Sequence, residues 1–170
     1  MAKKLIVIIG PNGVGKTTTA SEFRNYCSNS AYIDAEWCRC INPFYPLTDA
    51  TRELVINNMF CLLKNHLLCR DINTIVFPYG FHGGRKENFE IVIQRLQKEG
   101  IEFELQYIIL KCSYDENVRR ARQDNRDEER VQRGMKNTFV FYDNYDYPVI
   151  DTTELEPRQV VQQMIKILKL

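Results

Sequence analysis

Gly10-Pro11-Asn12-Gly13-Val14-Gly15-Lys16-Thr17 is the stretch that decides the fold of this 170-residue chain. It fits G-x-x-x-x-G-K-[ST], a pattern that gains its meaning from what lies on either side. Before it runs Leu5-Ile6-Val7-Ile8-Ile9, apolar at consecutive positions, as expected of a strand buried on both faces. After it, Gly15 to about Cys27 reads as a helix. In that order, glycines let successive backbone N–H groups turn inward around phosphate oxygens, and the helix adds its positive dipole end. The predicted nucleotide-binding set is therefore Gly10, Asn12, Gly13, Val14, Gly15, Lys16, Thr17 and Thr18. Lys16 would reach the β- and γ-phosphates of a nucleoside triphosphate and the Thr17 hydroxyl would ligate Mg²⁺. A chance Lys-Thr after a glycine turn is the competing reading, and it leaves the flanking strand and helix unexplained.

Outward from the loop, short apolar runs alternate with helical stretches. Ala31–Ile33, Thr74–Phe77, Leu105–Leu110 and Val149–Ile150 join Leu5–Ile9 as predicted strands. Helical spacing recurs in Leu54, Val55, Met59, Leu62, Leu63 and Leu67 from about Thr51 to Leu68, and in Phe89, Val92, Ile93 and Leu96 before a Gly100 stop. Ser113-Tyr-Asp-Glu116 has capping-box spacing and opens an Arg-rich helix. Pro157 begins a last helix with Val160, Val161, Met164, Ile165 and Leu168 on its buried face. Strands separated by helices imply an α/β fold with a parallel sheet. No repeat, low-complexity tract or linker divides residues 1–170, which read as one domain.

Composition narrows the function classes. Lys plus Arg number 23 against 22 Asp plus Glu, a net charge of +1, which disfavours a dedicated nucleic-acid or anionic-membrane binder. With 44% hydrophobic residues and a length at which roughly 70% of the unfolded surface can be buried, a core forms without disulfides or a structural metal. The longest apolar run, Leu5–Ile9, falls far short of the roughly 20 residues that cross a bilayer. The basic start Met1-Ala-Lys-Lys4 leads to Gly10-Pro-Asn instead of a small-residue cleavage site, so a signal peptide is not expected and a cytoplasmic location is. Six cysteines (27, 38, 40, 61, 69 and 112) include one close pair, Cys38-Arg-Cys40, without a second pair at zinc spacing; they read as reduced thiols.

Absences sort the remaining possibilities. There is no Asn-Lys-x-Asp base-reading motif, and Thr74–Phe77 runs into Pro78-Tyr79 where motor and AAA-type ATPases carry Asp-Glu. The loop, the Asp after strand two and the Arg-rich segment after strand four together resemble the small phosphate-loop kinases, a group that includes shikimate kinase, gluconate kinase, the nucleoside monophosphate kinases and chloramphenicol phosphotransferase. The resemblance spans essentially the whole chain. It implies a three-layer sandwich around a five-stranded parallel sheet in the order 2-3-1-4-5, a substrate-side segment at about 35–70 and a closing lid at about 114–136.

The resemblance also distributes roles. Asp34-Ala-Glu36 stands where shikimate-kinase-like enzymes have Asp-x-Asp: Asp34 would orient and deprotonate the acceptor hydroxyl, with Glu36 near the metal or the substrate. Val118–Arg126 holds Arg119, Arg120, Arg122 and Arg126; by resemblance Arg119 or Arg120 lies near the adenine, and Arg122 and Arg126 near the phosphates, where guanidinium groups stabilise transferring charge. Asp124, Asp127, Glu128 and Glu129 also allow an ordinary charged helix. In Tyr79-Gly-Phe-His-Gly-Gly-Arg85, Arg85 is an acceptor candidate, whereas His82 reads first as a satisfied loop histidine. Trp37, Arg39, Asn42, Phe44 and Tyr45 either form an aromatic acceptor wall, with Trp37 and Arg39 its leading contacts, or cover the following helix. Asp151-Thr-Thr153 resembles the turn beside the adenine, or an ordinary capping turn.

The sequence therefore predicts an ATP- and Mg²⁺-dependent phosphotransferase acting on a small hydroxyl- or phosphate-bearing acceptor, with Lys16, Asp34, Arg122 and Arg126 as its catalytic residues. A nucleoside, nucleotide or polynucleotide 5′-kinase is the nearest rival. A nucleotide-binding regulatory protein that transfers nothing is the alternative of another class.

Overall fold

The computed structural model describes residues 2–42, 47–123 and 140–170. Five parallel strands, β1 (Lys3–Ile9), β2 (Ser30–Tyr32), β3 (Thr74–Pro78), β4 (Phe103–Lys111) and β5 (Val149–Asp151), form one sheet in the order β2-β3-β1-β4-β5. That is the predicted order. β1 is central, its Ile6 in register with Val76 of β3 and with Gln106 of β4. Its side chains alternate between faces: Leu5, Val7 and Ile9 join one core, while Ile6 and Ile8 join the other.

Among the described residues five α-helices flank the sheet: α1 (Lys16–Tyr26), α2 (Asp49–Leu68), α3 (Arg85–Lys98), α4 (Tyr114–Gln123) and α5 (Pro157–Leu168). Val55, Met59 and Leu63 of α2 and Phe89, Val92 and Leu96 of α3 pack on the Leu5 face. Phe23 of α1 and Val160, Val161 and Met164 of α5 pack on the Ile6 face. The three-layer sandwich follows from this two-sided apolar sheet.

Boundaries differ in instructive places. α2 starts at Asp49, ahead of the predicted Thr51, because Thr48 is the cap: its hydroxyl accepts the Thr51 amide at 3.2 Å while the Thr51 hydroxyl accepts the Thr48 amide at 2.8 Å. β4 begins two residues before the predicted Leu105, since Phe103 and Glu104 still pair with Lys3 and Lys4. At α4 the predicted cap is present, with Ser113 Oγ accepting the Glu116 amide at 3.3 Å. Gly100 takes the left-handed conformation that ends α3, at φ 72°. Every strand points its C-terminal end at one edge of the sheet, so the segments after β1, β2, β3, β4 and β5 meet there.

Candidate active site

The loop after β1 folds around backbone, not side chains. Gly10 has φ 147°, and a β-carbon there would stand 2.3 Å from the Leu110 carbonyl oxygen of β4, so only glycine fits between the two strands. Val14 is buried in the core and anchors the loop from below. Thr17 and Thr18 lie exposed on the first turn of α1. Lys16 Nζ folds back over the loop, donating to the carbonyls of Gly10 at 2.9 Å and Pro11 at 2.7 Å. That posture spans the hollow in which the loop amides converge, and a phosphate entering the hollow offers the ammonium stronger, charge-assisted partners than two neutral carbonyls.

α4 braces this loop. Asn117, fully buried, donates from Nδ2 to the Asn12 carbonyl at 3.0 Å, and Ala121 one turn later lies against Gly13. Arg120 does most of the joining: Nη1 donates to the Val14 carbonyl at 3.2 Å and to Thr152 Oγ1 at 3.0 Å, Nη2 to the Thr152 carbonyl at 2.8 Å, and Nε to Glu116 at 2.6 Å. Arg119 turns outward and forms a two-pronged pair with Glu116 at 2.6 and 2.7 Å. Those bonds, with the Arg120 contact, hold the Glu116 carboxyl down at about 2. Of the two arginines that the resemblance set near the adenine, Arg120 thus reaches the loop and the turn after β5, while Arg119 faces solvent. Arg122 ends α4 in an exposed position. Arg126 lies outside the described residues, as do Phe44, Tyr45 and the lid beyond Gln123.

Opposite the loop, the segments after β2 and β3 supply side chains. Asp34 caps a short 3-10 helix, Ala35–Arg39, its Oδ1 accepting the Glu36 amide at 2.9 Å and its Oδ2 accepting the Tyr32 hydroxyl at 2.5 Å. Tyr32 also hydrogen-bonds Thr17, and burial together with the Asp34 carboxylate raises its pKa. Glu36 instead turns to Arg85, 3.9 Å away. The two carboxylates therefore separate: Asp34 stands on the Thr17 side and Glu36 on the Arg85 side.

Arg39 is only 7% exposed, and both burial and the nearby Arg85 charge lower its pKa. Arg85 lies over the Tyr79 ring, 5.9 Å from its centre. His82 shares their field: burial first, then the charges of Arg85, Lys16 and Arg39, pushes it down to about 4, so it is neutral at pH 7. Trp37 remains 57% exposed, its ring 5.7 Å from that of Tyr32, so it shields Tyr32 from outside. Two guanidiniums and the Lys16 ammonium thus act on a neutral imidazole, with the Glu36 carboxylate beside Arg85.

The Thr17 hydroxyl is a hard oxygen donor of the kind that suits Mg²⁺. Among the described residues no three His, Cys, Asp or Glu side chains gather to hold a metal on their own.

Residues that sequence reasoning did not single out complete the arrangement. Tyr32, Asn117 and Tyr142 all touch the site through single hydrogen-bonding groups. For Asn117 a signal existed, because Asn117 and Ala121, spaced i, i+4, form the non-ionic inward face of an otherwise charged helix. Tyr142, within an aromatic-rich stretch, carries no local mark.

With the fold and the loop in view, the likeness to solved structures is decisive for architecture. The tunicamycin resistance protein of Deinococcus radiodurans superposes with a TM-score of 0.68 at 18% identity, covering 99% of this chain and 97% of that one. Shikimate kinase from Bacteroides thetaiotaomicron gives 0.61 at 21%, covering 98% and 99%. The Mycobacterium tuberculosis APS kinase in complex with AMPPNP and APS gives 0.64 at 14%, covering 99% of both chains. The chain has the small phosphate-loop kinase fold. No protein-family model matches it, and no curated protein does.

Proposed function

We propose that the protein transfers the γ-phosphoryl group of ATP to a hydroxyl of a small acceptor that carries an anionic group. One observation carries this reading: the Asp34 carboxylate is tied through Tyr32 to Thr17, beside the phosphate loop, while the neighbouring Glu36 faces Arg85, whose charge Arg39 also feels. A carboxylate next to the phosphate site and guanidiniums beyond it suit an acceptor with a reactive hydroxyl at one end and negative charge at the other. Neighbours of the same fold named as a shikimate kinase and an APS kinase support a small acceptor, and the AMPPNP bound by the latter supports a nucleotide donor.

In the reaction, the loop amides and Lys16 hold the β- and γ-phosphates, and Lys16 exchanges the Gly10 and Pro11 carbonyls for phosphate oxygens. Asp34 aligns the acceptor hydroxyl and takes its proton as the new O–P bond forms and the β,γ-bridging bond breaks, releasing ADP. Thr17 is the side chain that would hold Mg²⁺, which neutralises phosphate charge when bound. Arg122 and Arg126, carried by the segment after β4, stabilise the transferred group. The acceptor is a small molecule and not nucleic acid. No described helix is long and apolar enough to cross a membrane, and six free thiols suit a reducing compartment such as the cytoplasm.

The test is ADP release from Mg-ATP across an acceptor panel of sugar acids, shikimate, nucleosides, nucleoside monophosphates, chloramphenicol-like alcohols and a short 5′-hydroxyl oligonucleotide, with Asp34→Asn in parallel. Stimulation by one anionic class, lost in the variant, is the expected result. Tight ATP binding with turnover stimulated by none of them would favour a nucleotide-binding regulator instead.

A further inference from the structure

The Tyr142 hydroxyl lies where three segments meet. Tyr142 is fully buried in the short 3-10 helix Phe141–Asn144, which follows the Arg-rich segment in the chain. Its oxygen accepts the Phe81 amide at 3.0 Å, while His82 Nδ1 stands 3.4 Å away. A phenol oxygen offers two acceptor sites and one proton. A buried hydroxyl proton needs an acceptor of its own, and with the Phe81 N–H already donating to the oxygen, the imidazole Nδ1 is the group placed to take it.

An Nδ1 that accepts carries no hydrogen, and the His82 ring is neutral at pH 7. Its single proton is then on Nε2. Gly80 fixes the ring's position: a β-carbon there would stand 2.7 Å from Cε1 and 3.0 Å from Nδ1, so the imidazole lies flat against a residue that has no side chain. With Nδ1 committed to Tyr142 and Cε1 against Gly80, the Nε2 edge is the one left to face away from both.

We propose that Tyr142 is a positioning residue that locks His82 as an Nε2–H donor toward the acceptor, so that the acceptor half is complete only when the strap Phe141–Asn144 is docked. What the Nε2–H meets rests on the phosphotransfer reading above; the tautomer does not. The bland alternative, a loop histidine satisfied by its neighbours, predicts no fixed tautomer.

The chain has two histidines, and the other supplies an internal control. His66 Nδ1 lies 2.8 Å from the Leu62 carbonyl, an acceptor only, so His66 must carry its proton on Nδ1. In a long-range ¹H–¹⁵N correlation spectrum of the full chain at pH 7, with His66→Gln for assignment, the two rings should show opposite tautomers. Tyr142→Phe should collapse the His82 pattern to an average of both forms while leaving His66 untouched. Should Tyr142→Phe fail to fold, Gly80→Ala, which displaces the ring and leaves the phenol in place, should give the same collapse. An Nδ1–H tautomer at His82 in the native chain, or a tautomer indifferent to these variants, overturns the proposal.

Kinetics with whichever acceptor the panel reveals provide the second readout. Tyr142→Phe should raise the acceptor KM about fivefold, the effect of one net hydrogen bond, with the KM for Mg-ATP within about twofold. His82→Gln, whose amide can present a donor where Nε2 stood, should keep more acceptor affinity than His82→Ala. Equal losses for both substrates would overturn the acceptor role. If no acceptor stimulates the native chain, the phosphotransfer reading and the acceptor role fail together, while the spectrum still decides the tautomer lock.

Discussion

Between Gly10 and Thr17 the groups that would face a phosphate are mostly backbone amides of one contiguous stretch, joined by the Lys16 ammonium and braced from behind by Asn117 and Arg120. On the side proposed for the acceptor they are side chains, Asp34, Arg39, His82 and Arg85, brought in by separate strands, with a strap sixty residues further along where Tyr142 meets His82. The first half depends on where the chain can go; the second depends on which functional groups are present. A backbone-built site should tolerate no added β-carbon yet be indifferent to many side chains, and a side-chain-built site should behave in the opposite way.

Exchanging one oxygen on the acceptor half is the severest probe of that contrast. Asp34→Asn should lower kcat about a thousandfold, within the usual range for removing a general base, while Mg-ATP affinity measured by calorimetry stays within about twofold. Comparable losses in both would mean that the two halves are not separable. Gly10→Ala should act on the fold: the β-carbon meets the Leu110 carbonyl at 2.3 Å, and the positive φ adds strain, so stability should fall by about 3 kcal/mol in urea denaturation with an unchanged slope. An unaltered midpoint would show that the loop has room to relax.

Smaller effects sharpen the contrast. Arg85→Ala should raise the acceptor KM about tenfold, equivalent to about 1.4 kcal/mol, and leave the Mg-ATP KM alone. The gentlest test is pH. The unfolded chain protonates His82 near 6.5, whereas the folded chain resists until about 4 because of burial and the Arg85, Lys16 and Arg39 charges. Between those values the unfolded state binds more protons, so this contribution to stability is complete above pH 6.5 and is lost as pH falls toward 4. Relative to His82→Gln, the native chain should lose about 1 kcal/mol per pH unit across that window. Parallel curves for the two proteins would place His82 in open solvent.

The same division explains what could be read in advance. Strand order, both core faces and the loop follow from contiguous patterns: Leu5–Ile9 announces a strand covered on two sides, and the glycine-lysine spacing is local. Asp34 and Arg39 could be singled out because the end of a strand is a place that the pattern locates. How they divide labour could not, since the separation of Asp34 from Glu36 is set by Tyr32 and Arg85, contacts across space that no spacing encodes. Arg119 and Arg120 are adjacent, and which of them faces the loop depends on helix phase, fixed here by the burial of Asn117 and Ala121. Tyr142 was invisible for the same reason: its role comes from a hydroxyl that meets residues 61 positions away.

The Arg120 guanidinium joins the phosphate loop, the start of α4 and the turn after β5 through the protein's own hydrogen bonds. That half of the molecule has therefore already surrendered most of its conformational freedom. A nucleotide entering it has little chain to order, so its binding should be marked by a small entropic penalty and a fast, near-rigid association. Cutting that brace should instead appear as slower, more exothermic binding, because the ligand would then have to organise the loop itself.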